Sequence, residues 1–274
     1  MTAVSPRPAG ERTIRALTLD NSGTGTEAGP EQQTPDAGEN RVIFEATRSF
    51  EDTGGFLQMP GIEDGTEEFL FDIPEGLQLS LCDLAITEAS ALAGAEIDAK
   101  PAIGATGSAR VTVRWSHPKP MGKVTFQLRI YASADATPPV IVVPISEAGA
   151  DKRMRALVEQ GAPVDFAIDG PLAEAFYEQV IQRGGQIIGA EDAYHSGTRP
   201  FAVGGGVGEA ALALGVSLAL IAAACVALGL ITFGTVLLFA MSQGYDIDNA
   251  GYSVAVGEGE SRQEHKMAFS MRKP

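Results

Sequence analysis

Charge is absent from one long stretch of this chain: no Asp, Glu, Lys or Arg stands between Glu209 and Asp246. Inside that stretch, Ala210 to Met241 is a run of thirty-two uncharged residues dominated by Leu and Ala. As one helix it would rise about 48 Å at about 1.5 Å per residue, more than the roughly 30 Å hydrocarbon core of a bilayer. It also avoids the roughly 2.5–3.5 kcal/mol that each Asp, Lys or Arg costs at the centre of an inserted helix. The pattern predicts one long hydrophobic helix near the C-terminus, in a membrane segment over 206–243. The same run admits two other folds: a hairpin of two shorter helices bent at Gly229 or Gly234, and a buried core helix of a soluble domain. Gly215, Ala219 and Ala223, spaced by four, would give a single helix one smooth face against which a second helix packs in lipid.

Other absences narrow the chemistry. Two cysteines, Cys82 and Cys225, exclude a disulfide framework. The three histidines, His117, His195 and His265, are scattered and lack metal-ligand spacing, so neither a metal nor a cofactor is expected. No Ser has Gly two residues to each side, which removes a nucleophile elbow. Gly204 to Gly208 is glycine-rich but lacks the Lys-Ser/Thr pair of a phosphate loop, and reads as a flexible approach. Asp246 to Gly251 opens like a calcium loop, yet its twelfth position is Gly257 and not a carboxylate. There is no basic excess: the net charge is -15, and residues 41–100 hold thirteen acidic against three basic side chains. Phosphates would be repelled there, so nucleic acid is excluded as a partner, and no small-molecule ligand is expected. Arg7, Arg12 and Arg15 are followed by no apolar stretch, which predicts a disordered leader over 1–40 without a cleavable signal peptide. Arg outnumbers Lys fourteen to six, a bias in keeping with a bacterial source.

Period-two alternation is present from Arg41 to about Ser146. Ala109, Val111, Val113 and Trp115 alternate with polar residues, as do Val124, Phe126, Leu128 and Ile130. The Pro- and Gly-bearing link Ser116 to Gly122 predicts that these two strands pair as a hairpin. About seven such runs predict a β-rich domain over 41–146, a sandwich or small barrel. Residues 147–205 read as a helical segment and linker, with short helices over Glu147 to Gln160 and from Pro171 to a stop at Gly184-Gly185. The polar tail 244–274 alternates again and predicts a hairpin about Gly257-Glu258-Gly259.

Together these features predict a membrane-anchored, non-catalytic binding or scaffolding protein, a homo-oligomer in contact with a lipid bilayer, placed in the bacterial inner membrane. The competing reading is a membrane-inserting effector or pore former that is soluble before insertion. A hydrolase or transferase, the third class, would reveal itself as a pocket with convergent titratable residues.

Overall fold

The alternation beginning at Arg41 becomes seven strands in a computed structural model that describes residues 39–54, 59–188, 210–256 and 263–274. They are β1 (Arg41–Glu51), β2 (Gly61–Ile73), β3 (Gln78–Ala89), β4 (Gly94–Ala99), β5 (Gly107–Lys119), β6 (Lys123–Ser133) and β7 (Ile141–Pro144). The first six form two antiparallel three-stranded sheets, ordered β1-β6-β3 and β2-β5-β4. One face of each sheet is apolar, and the two faces meet. Val111 and Val113 of β5 and Val124, Phe126, Leu128 and Ile130 of β6 are fully buried in the shared core. Each such side chain contributes about 1.5–3 kcal/mol on burial. Phe44 of β1 crosses the interface to Phe69 and Phe71, and Phe50 stacks on Trp115 at 4.0 Å.

The expected hairpin between Ala109–Trp115 and Lys123–Tyr131 does not form. β5 and β6 belong to different sheets and face each other across the core. Alternation shows which side of a strand is buried, but both a ladder neighbour and a strand opposite satisfy it. The link itself favours the crossing. Its backbone pairs outward, with Asp52 N donating to Gly122 O at 2.8 Å and Ser90 N to Lys123 O at 2.8 Å. A Cβ at Gly122 would lie 1.8 Å from the Pro118 carbonyl oxygen, so no other residue fits this arch.

After β7 the chain enters a parallel step: α1 (Ala150–Glu159) carries it to β8 (Val164–Asp169), which lies parallel to β7. Then follow α2 (Pro171–Gln182), β9 (Gln186–Ile188), β10 (Ala210–Gly215), α3 (Leu218–Ala227), α4 (Ile231–Ser242), β11 (Asp246–Val256) and β12 (Gln263–Arg272). One six-stranded sheet results, ordered β7-β8-β12-β11-β10-β9. The tail supplies its two middle-most strands by pairing β11 with β12, β12 with β8, and β10 with β11. Helices and sheet share a second core, in which Phe269 lies 4.8 Å from Phe166 and 5.5 Å from Phe176. The leader 1–38, the approach 197–208, His195 and the turn 257–259 lie outside the described residues.

The long hydrophobic helix is corrected most. Ala210 to Met241 holds a strand and two helices of 10 and 12 residues, and no helix among the described residues is long and apolar enough to cross a membrane. At about 1.5 Å per residue the helices reach roughly 15 and 18 Å, about half the bilayer core. This bears on helices alone and not on crossing by strands. Local signals explain the division. Ser217 caps α3, its hydroxyl accepting from Leu220 N at 3.3 Å. Gly229, at φ +78°, ends it: Gly229 N donates to Val226 O and Leu230 N to Cys225 O, the paired closure of a Schellman cap. Gly244 closes α4 in the same way. Hydropathy registers neither cap, because glycine and serine are uncharged and add little to a transfer sum. Gly234 lies within α4 where α3 crosses it, and a Cβ there would come 2.9 Å from Val226 Cγ2 and 3.1 Å from Ala222 O.

Candidate functional site

The residues singled out for helix packing separate. Gly215 ends β10 and is half-buried, whereas Ala219 and Ala223 sit one turn apart on the exposed side of α3. The three therefore share no single helix face. Beside the two alanines the hairpin α3–α4 exposes large apolar side chains: Val226 is 50% exposed, Ile231 62%, Leu238 47% and Met241 45%. Their inward counterparts, Ile221, Cys225, Leu237 and Ala240, are fully buried. The hairpin is apolar on both sides, but among the described residues only one side has a covering.

A polar seam joins the sandwich to α1. Arg153 of α1 donates through Nε to Asp83 Oδ1 at 2.9 Å and through Nη2 to Asp83 Oδ2 at 2.8 Å. Its Nη1 donates to Glu147 Oε2 at 2.6 Å, from the turn before the helix. Asp83 is 3% exposed, Arg153 10% and Glu147 13%, so two carboxylates and one guanidinium sit together away from water. Glu147 Oε1 is buried and has no hydrogen-bond partner among the described residues. Burial pushes the Glu147 carboxyl above its ordinary value, and Arg153 pulls it part of the way back. Burial opposes the charge on Arg153, yet Asp83 and Glu147 hold it above the usual guanidinium value. Gln160 completes the seam as a strand neighbour would: Cys82 N donates to its Oε1 at 3.0 Å, and its Nε2 donates to Cys82 O at 2.9 Å.

Glu147 gives a pH dependence of defined sign. A carboxyl raised by folding favours the fold while protonated, and that contribution is lost as pH rises through the raised value. Stability should therefore fall on this account as pH rises from the ordinary carboxyl value of about 4.3 through the raised one. Glu147→Gln keeps an acceptor for Arg153 Nη1 and has nothing to ionise, so its unfolding free energy should lose that decline. Denaturant titrations of both proteins across the range check this, and parallel profiles would contradict it.

No family model, curated protein or solved structure matches this chain. The chemistry of the sites must be read from their geometry. Burial pushes the thiols of Cys82 and Cys225 up to about 12, so both are protonated at neutral pH and neither is an activated nucleophile. The Tyr252 hydroxyl of β11 and His265 Nδ1 of β12 are hydrogen-bonded at 2.5 Å, and His265 Nε2 faces Glu174 Oε2 of α2 at 3.8 Å. Hydroxyl, imidazole and carboxylate stand in the order of a nucleophile, its base and the base's orienter. Tyr252 is nevertheless buried under Tyr177, their rings 4.2 Å apart, and burial with Glu174 nearby raises its phenol. The phenol stays protonated, and the chain of contacts ties β11, β12 and α2 together. His117 is buried with its ring stacked near Trp115. Asp246 to Gly251, the calcium-loop resemblance, lies within β11, and Asp248 pairs with Arg272 at 2.6 Å.

Sequence reading missed the seam altogether. Asp83 and Arg153 are 70 residues apart and Cys82 and Gln160 are 78 apart. A charged residue inside the apolar run Leu77 to Ile86 was the one available signal for Asp83.

Proposed function

We propose that this chain is a non-catalytic interaction protein that works as a self-associated assembly, and that the outward face of α3–α4 is the contact between copies. One observation carries this reading. In a chain of net charge -15, the exposed Val226, Ile231, Leu238 and Met241 form a face within a stretch that holds no charged residue. Exposed apolar patches of this kind mark interaction sites, because water-facing Leu and Ile gain free energy when covered. The charge balance favours a second copy as the cover. Two acidic chains repel over most of their surfaces, and an uncharged face is where they can approach. A two-fold contact also places identical faces together, which suits a patch of Ala, Val, Ile, Leu and Met. A lipid surface is a poorer fit, since interfacial helices carry Lys and Arg on the polar side and aromatic anchors, and the hairpin has no Lys, Arg or Trp.

The test is the mass of the native chain in solution beside Ile231→Lys/Leu238→Lys, with vesicle flotation in parallel. Both sites are exposed, so the double variant should fold. The native chain should sediment as a discrete assembly and the variant as a monomer. A native monomer, or flotation with vesicles that the variant loses, would overturn the reading.

A further inference from the structure

The two sandwich sheets leave an opening between their edge strands β3 and β4, and α1 lies across it. Beneath the helix is a cleft of about 260 Å³. Its apolar walls come from Leu84 and Ile86 of β3, Ala95 and Ile97 of β4 and Leu157 of α1. Six charged side chains also line it, and five are already paired. Asp83 holds Arg153, Arg155 donates to Glu159 at 3.0 Å, and Glu96 is bonded to Arg114 outside the cleft. The sixth is Lys152, which among the described residues has no carboxylate within ion-pair reach.

Lys152 stands in the first turn of α1, the end of a helix where a cation is disfavoured. Asp151 of the same turn suits that end, and helix formation leaves Lys152 unaccounted for. The same end opens on the cleft through Ala148 and Gly149, and Gly149 provides no side-chain cap to the first-turn amides. An anion in the cleft would meet the lysine ammonium, the positive end of the helix and an apolar wall together. We infer that this cleft binds a small carboxylic acid with a branched or aromatic body, its carboxylate at Lys152 and the α1 N-terminus and its body against Ile86, Ala95 and Ile97.

The geometry also sets what the cleft refuses. Its volume is below the roughly 300–1,000 Å³ of drug-sized sites, which limits the body to a few carbons or one ring. A phosphate dianion calls for an additional cation or a free guanidinium fork, and the fork of Arg153 is occupied by Asp83. An amino acid would bring an ammonium for which every lining carboxylate is already paired. The site lies between the sandwich and α1 and is lined by none of the residues proposed for the hairpin contact.

Calorimetric titration of the full chain at low salt with isovalerate and phenylacetate, beside isopentylamine, phenethylamine and inorganic phosphate, tests the inference. The two carboxylates should bind, and the amines and phosphate should give no heat of binding. Lys152→Glu, at an exposed position, should not lower the unfolding midpoint, since a carboxylate suits the first turn of a helix, and should weaken carboxylate binding by about tenfold or more, the scale of reversing one charge near the protein surface. Ala95→Leu should abolish binding by filling the cleft with Lys152 intact, and Lys152→Arg should retain it. No binding by either carboxylate, equal binding of acid and amine, or full affinity in Lys152→Glu would each overturn it.

Discussion

A chain that stops at Ser242 is expected to lose the fold of its six-stranded sheet while the sandwich persists. The tail beyond α4 supplies β11 and β12, and without them β8 and β10 lie apart with unpaired edges. Buried backbone donors and acceptors on those edges would have no partners, and each costs about 1–3 kcal/mol when left unmade. The core loses Tyr245, Tyr252, Met267, Phe269 and Met271, all buried. Removing the Phe269 ring alone costs about 3–5 kcal/mol, a large part of the roughly 5–15 kcal/mol by which a domain is stable. The sandwich keeps its own core, which contains no residue of the tail. Far-UV spectra of the shortened chain should show the helical signal gone, while Trp115 emission still shifts on unfolding. A helical spectrum like that of the full chain would contradict the account.

The second large effect is expected at Arg153. Replacing it with Leu removes three hydrogen bonds and leaves Asp83 and Glu147 facing each other in a buried seam. Breaking a buried ion pair from one side costs about 3–5 kcal/mol, because the remaining charge is uncompensated. Arg153→Lys should recover only part of this, since an ammonium cannot satisfy both oxygens of Asp83 in the plane of a fork. Removing all three charges together should be far milder than the single change, as when buried ion pairs are exchanged for packed apolar groups. Unfolding free energies of the single, conservative and triple variants check the order. A single variant as stable as the native chain would show that the seam carries little.

How far the fold was legible depends on which physical signal each element rests on. Val111 and Val113, and Val124 through Ile130, announce strands because burial of one side repeats every second residue. Pro171 and Gly184 bracket α2, because proline suits a first turn and glycine suits the left-handed residue after the last. Nothing in the alternation of β5 and β6 distinguishes a ladder neighbour from a strand opposite, and the expected pairing failed there. The apolar run failed for another reason: the caps at Ser217 and Gly229 are local hydrogen-bond signals, and a transfer sum does not register them. The third miss is one of distance. Asp83, Glu147, Arg153 and Gln160 meet only after the sandwich and α1 have docked. The cleft beside them, with Lys152 at its mouth, was equally out of reach.

The contact proposed for α3–α4 is most directly tested by cysteine crosslinking across it. Ala219→Cys and Ala223→Cys each place a reactive thiol on the exposed side of α3, and neither displaces a buried group. The native Cys82 and Cys225 are buried with thiols pushed up to about 12, so they do not compete. Mild oxidation of dilute protein should convert at least one variant to a covalent dimer. That dimer should disappear when Ile231→Lys/Leu238→Lys is added, and Thr66→Cys, on the exposed side of β2, should form no covalent dimer. If neither alanine position crosslinks, or Thr66→Cys dimerises as fast, the face is not where copies meet.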